Sequence, residues 1–140
     1  MGKTDNLIIL ENGTIYDPYK NKKKVGSILI VNGVVKEVGK VTASDNARKI
    51  DCTGKLIVPG LIDIHAHFRE PGREDKETLA TGARAAFSGG FTRVCVMPNT
   101  DPPLDSPEAI RFIIEKSSGL PVQILPIGSI TIGQNGQELS

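Results

Sequence analysis

Apolar and polar positions divide the chain into two stretches with different rhythms. Before residue 60, short apolar runs are broken at close intervals by turn residues. Residues 7–10 are apolar, Asn12-Gly13 follows, and Thr14-Ile15-Tyr16 resumes an extended pattern until Asp17-Pro18. The device returns at residues 27–31, which lead into Asn32-Gly33, and residues 34–38 alternate partly between apolar and polar. Asn-Gly tolerates the positive φ angles of a two-residue turn, so each pair predicts a hairpin. The composition turns polar between Thr42 and Asn46, and short β segments are expected over 49–52 and 55–58. Residues 1–58 therefore read as a small antiparallel, sandwich-like β domain.

After Pro59-Gly60 the rhythm changes to strands alternating with helices, the pattern of a parallel sheet covered by helices. A short buried strand is expected over 61–68. A helix over 76–88 follows, with Leu79, Ala83, Ala86 and Phe87 at helical spacing and Gly89-Gly90 as its stop. A second strand is expected over 92–97. Ser106 as N-cap and Pro107 at the first helical position open a second helix with Ile110, Ile113 and Ile114 as its stripe, closed by Gly119. A third strand is expected over 122–127, and residues 128–140 are polar and Gly-rich. The fold class is α/β, the start of a (β/α)8 barrel over 59–140, in which ligand sites form at the C-terminal ends of the strands.

Candidate chemistry falls on that rim. In a strand, side chains two apart share a face, so His65 and His67 project together at the end of the first strand, with Asp63 behind them and Arg69 beyond. Asn99 follows the second strand. Neutral imidazole suits zinc, and a catalytic zinc site takes about three protein ligands with one position open. Such a site fits metal-assisted hydrolysis, with Arg69 as a bidentate clamp for a carboxylate and Asn99 as a directional hydrogen-bond partner. The plainer alternatives are a surface ion pair of Arg69 with Glu70 or Asp75, and Asn99 as a capping amide in a Pro-rich turn. Glu70-Pro71-Gly72 reads as loop architecture that aims Arg69.

The run Asp63-Ile64-His65-Ala66-His67-Phe68-Arg69-Glu70-Pro71-Gly72, followed by Lys76-Glu77-Thr78, Gly89-Gly90-Phe91-Thr92 and Met97-Pro98-Asn99-Thr100, resembles the N-terminal part of the dihydroorotases, cyclic amidohydrolases of pyrimidine synthesis. The resemblance runs from about Gly54 onward, in the family's order. It implies a metal-dependent hydrolase barrel and the reversible condensation of N-carbamoyl-L-aspartate to L-dihydroorotate with loss of water. It further implies His65 and His67 as ligands of one or two zinc ions, and His67, Arg69 and Asn99 as substrate contacts. The family's remaining ligands and its general base, an aspartate, two histidines and a distal aspartate, have no matching position here. The chain holds only 2 His, and the part after Gly60 is about a third of a typical barrel of ~250 residues. A truncated chain is expected, inactive and poorly soluble or self-associating by itself, with the sandwich of residues 1–58 also incomplete. Allantoinases and hydantoinases are the neighbouring alternative, against which Arg69 followed by Glu70-Pro71-Gly72 weighs. A non-catalytic subunit docking aspartate transcarbamoylase is a third reading, against which the retained His65, His67, Arg69 and Asn99 speak.

Composition narrows the partners. The chain is 39% hydrophobic and 24% charged, with a net charge of +1, which points to no nucleic acid. Its one dense basic run, residues 22–24, reads as a solvated turn. No apolar run is long enough for a membrane span and no signal-like segment opens the chain, so a cytoplasmic protein is expected; the resemblance adds a small-molecule substrate and a homo-oligomer. Cys52 and Cys95 lie in apolar β-like stretches without CxxC spacing and read as small core residues.

Overall fold

The computed structural model describes residues 6–42 and 46–140; most of the polar stretch expected between Thr42 and Asn46 lies outside them. The chain divides into two compact units, Met1–Pro59 and Gly60–Ser140.

The first unit is a five-stranded sheet of β1 (Leu7–Asp17), β2 (Lys22–Val31), β3 (Val34–Gly39), β4 (Arg48–Asp51) and β5 (Leu56–Ile57). The order is β3-β2-β1-β4, and β5 also pairs with β1. The Asn32-Gly33 hairpin forms between β2 and β3, with φ of 50° and 80° at its two residues. The expected hairpin at Asn12-Gly13 does not form. There β1 runs on through a register shift between Leu10 and Gly13, with Asn12 at φ 61°, which is a β-bulge. A Cβ on Gly13 would lie 2.3 Å from Ile57 Cδ1 and 3.0 Å from Cys52 Cβ, so this glycine answers to the packing of the sheet. The sheet is also mixed: β4 and β5 both run parallel to β1, where an all-antiparallel domain is expected from the sequence.

In the second unit β6 (Leu61–Ala66), β7 (Phe91–Val96) and β8 (Gln123–Pro126) form a parallel sheet in the order β6-β7-β8. Helix α1 (Leu79–Ser88) lies against β7, and α2 (Pro107–Lys116) lies against β8. Three strands do not close a barrel. The core between sheet and helices consists of Leu79, Ala83, Val94, Val96, Leu104, Ile113, Val122 and Ile124. Ser106 caps α2 by accepting from Ala109 N, with Pro107 following it. Helix α1 starts at Leu79, the first residue of its apolar pattern and three residues later than the expected 76, because Thr78 and Thr81 form a reciprocal capping box. Phe87 and Ile114, expected in the stripes, are exposed, since each helix turns only one narrow face to the sheet. Likewise β6 is not buried. It is an edge strand, and Leu61, Ile62 and Ile64 are each about half exposed or more.

Cys52 is buried, Cys95 is half-buried, and both are free thiols. No helix among the described residues is long and apolar enough to cross a membrane.

Candidate functional site

The C-terminal rim of the parallel sheet is built by two loops, 67–78 after β6 and 97–106 after β7. Strand alternation carries His65 to the rim and His67 stands just past the last strand residue, Ala66. Their Nε2 atoms come within 3.3 Å, with the ring planes at 62°. His67 Nδ1 lies 2.8 Å from Asn99 Oδ1, which joins the two loops through side chains. All three residues are exposed. Behind them Asp63 Oδ1 accepts the backbone N–H of His65 at 2.9 Å and steadies the end of β6.

Backbone packing clasps the same loops together. Asp101 N donates to Pro71 O at 3.1 Å. Gly72 has φ 97°, and a Cβ there would stand 2.1 Å from Asp101 O, so only glycine permits this approach. The peptide bonds preceding Pro71 and Pro102 are both cis. Each loop also sends one anchor into the unit. Leu104 is fully buried, its N–H bonded to Pro98 O at 3.1 Å and its carbonyl accepting from Ser129 N at 2.7 Å. Glu70 is 4% exposed. Its Oε2 accepts from Leu79 N at 2.7 Å, at the first turn of α1 where a carboxylate meets the positive end of the helix, and its Oε1 pairs with Lys116 of α2.

Arg69 is half-buried in the loop directly after this cluster, and no contact among the described residues fixes its guanidinium against His65, His67 or Asn99. Neither acid expected as its alternative partner takes it. Glu70 is engaged by Leu79 and Lys116, and Asp75 by Arg73, whose Nε and Nη2 donate at 2.9 and 3.0 Å. Those bonds hold the Asp75 carboxyl below the ordinary aspartate range. Asn99 is no capping amide in its own turn; its carbonyl oxygen faces the His67 ring.

The donor set fits a metal ion in part. Two nitrogens 2.0–2.1 Å from a tetrahedral zinc would lie about 3.3 Å apart, which matches the Nε2 separation of 3.3 Å. Among the described residues no third His, Cys, Asp or Glu completes a cluster. No local sequence signal marks the burial of Glu70, the plug at Leu104 or the direct link between His67 and Asn99. The Thr78-x-x-Thr81 spacing was the one available signal for the start of α1.

Known proteins agree with this architecture. The chain is 43% identical over 134 residues to the dihydroorotase of Solibacter usitatus and 45% identical over 135 residues to that of Pelotomaculum thermopropionicum. Each match covers 95% of this chain and 31% of the relative, so the chain spans about a third of their length. Among solved structures, the L-hydantoinase of Arthrobacter aurescens superposes with a TM-score of 0.80 at 24% identity, over 89% of this chain and 28% of that one, a likeness of fold. The model of the dihydro-orotase-like family matches residues 54–140, from the end of the N-terminal sheet through the whole rim, and the chain belongs to that family.

Proposed function

We propose that this chain is the N-terminal part of a zinc-dependent dihydroorotase, which interconverts N-carbamoyl-L-aspartate and L-dihydroorotate in pyrimidine biosynthesis. The observation that carries the reading is the convergence of His65, His67 and Asn99 on the rim of the parallel sheet. His65 and His67 would hold the metal through Nε2. When bound, the metal supplies Lewis-acid activation of water and of the amide carbonyl. Arg69, left without a carboxylate partner among the described residues, is suited to clamp a substrate carboxylate in bidentate fashion. Asn99 is suited to direct a substrate oxygen with its amide N–H groups, and His67 borders the same space. The remaining ligands and the general base would come from later strands of a (β/α)8 barrel, so residues 1–140 alone are expected to be inactive. A cytoplasmic homo-oligomer fits this reading, with aspartate transcarbamoylase as a further partner to be tested.

The test is turnover of N-carbamoyl-L-aspartate by the full-length protein that carries this chain, before and after removal of metal by a chelator. Activity that disappears with the chelator and returns with zinc is the expected result. Arg69→Ala should lower kcat/KM about a hundredfold, since a charge-assisted bidentate contact contributes roughly 3 kcal/mol. Turnover of hydantoin or allantoin in place of carbamoyl-aspartate would favour a neighbouring cyclic amidohydrolase. Absence of turnover on all three would favour a non-catalytic subunit.

A further inference from the structure

We propose that Asn99 is a positioning residue for His67, fixing which ring nitrogen carries the proton, in addition to facing substrate. The inference rests on the metal-dependent reading above and deepens it. An amide oxygen can only accept, so the approach of Asn99 Oδ1 to His67 Nδ1 at 2.8 Å assigns a ring proton to Nδ1. His67 Nε2 is then the unprotonated nitrogen and faces His65 Nε2 at 3.3 Å as an acceptor. Two neutral imidazoles set nitrogen to nitrogen have a competing arrangement, in which His67 donates Nε2–H to His65 and neither lone pair is left for a metal. A proton held on Nδ1 removes the arrangement in which His67 is the donor and keeps the His67 Nε2 lone pair on the side a metal would occupy; the His65 proton is not fixed by Asn99. Partners of this kind on the far nitrogen of a metal-binding histidine fix its tautomer and orientation.

Asn99 can act in this way because its own position is over-determined. The buried Leu104, the Leu104 N to Pro98 O bond and the Asp101 N to Pro71 O bond hold loop 97–106 on both sides of it. The close contact of Gly72 with Asp101 keeps that loop against the one that bears His67. The Asn99 Nδ2 group has no protein partner among the described residues and stays available to a substrate oxygen. One side chain thus orients a ligand with its oxygen and faces substrate with its nitrogen.

The experiment compares the full-length wild-type protein with Asn99→Ala and Asn99→Asp. Asp keeps the acceptor and loses the N–H donors, while Ala loses both. In metal-free, 15N-labelled protein at a pH where His67 is neutral, long-range 1H–15N correlation reports the protonated ring nitrogen. Zinc affinity is read separately by competition with a chelator. The wild type and Asn99→Asp are expected to carry the proton on Nδ1 and to bind zinc within about threefold of one another, whereas Asn99→Ala moves the proton toward Nε2 and binds zinc about 10–100-fold more weakly. Both variants should raise KM. A wild-type His67 protonated on Nε2, or an Asn99→Ala variant with unchanged zinc affinity, would overturn the proposal and leave Asn99 as a substrate contact alone. Neither readout involves substrate, so a protein that passes both yet turns over only a hydantoin would sink the dihydroorotase reading and leave this one standing.

Discussion

Two glycine turns, one in each unit, demand the same backbone and serve different ends. Gly33 in the β2–β3 hairpin and Gly72 in the β6–α1 loop have φ of 80° and 97°. Around Gly33 a Cβ would meet nothing within 4 Å, whereas at Gly72 it would stand 2.1 Å from Asp101 O. The first turn is decided by its own two residues; the second is decided by a loop that returns after β7. In the N-terminal unit, order follows from register and local turn chemistry. On the rim of the second unit, it follows from contacts between segments distant in sequence, and the candidate chemistry is found there.

The sharpest way to break this contrast is to place alanine at both glycines. Gly72→Ala should destabilise the second unit by about 3 kcal/mol or more, from left-handed strain plus a backbone collision. Amide exchange should quicken through 67–78 and 97–106, and the His67–Asn99 hydrogen bond should be lost. Gly33→Ala should cost about 1 kcal/mol, from backbone strain alone, and leave the His67 resonances unmoved. Equal effects in urea unfolding followed by amide signals from each unit would erase the distinction. Next in size is Glu70→Ala, which deletes a buried acceptor from the start of α1 and should cost about 2 kcal/mol. Lys116 is half exposed and can turn to water, so the loss stays below that of stranding a buried charge.

The smallest effect concerns the surface carboxyls. In the N-terminal unit Asp17 is held below the ordinary aspartate range, first by the Lys20 backbone N–H, and Asp51 likewise, first by the Thr53 hydroxyl. A depressed folded pKa contributes stability that is complete above the unfolded value and is lost as pH falls through the folded one. A modest fall in stability below about pH 4 is therefore expected. Asp51→Asn should flatten it slightly in pH-dependent unfolding.

The sequence is legible wherever a decision is made within a few residues. Asn32-Gly33 turns the chain, Ser106-Pro107 starts a helix, and His65 reaches the rim at the end of β6, with His67 following just past it. Asn12-Gly13 has the same two residues as the real hairpin, yet Ile57 and Cys52 crowd Gly13 and β1 runs on as a bulge. Glu70 looks like a surface acid in a turn until Leu79 and Lys116 close on it. Phe87 and Ile114 have helical spacing but fall off the narrow face that each helix gives the sheet. Burial of β6 is misread because apolar content does not tell a central strand from an edge strand.

The clasp between Gly72 and Asp101 has a practical meaning for anyone rebuilding such a rim. Loops 67–78 and 97–106 meet backbone to backbone, so neither can be recast in length or sequence while its mate keeps its shape. A graft onto another parallel sheet would have to carry both as one cassette, with Leu104 and Glu70 travelling as its two roots. Moved singly, a histidine-bearing loop would arrive without the template that shapes it.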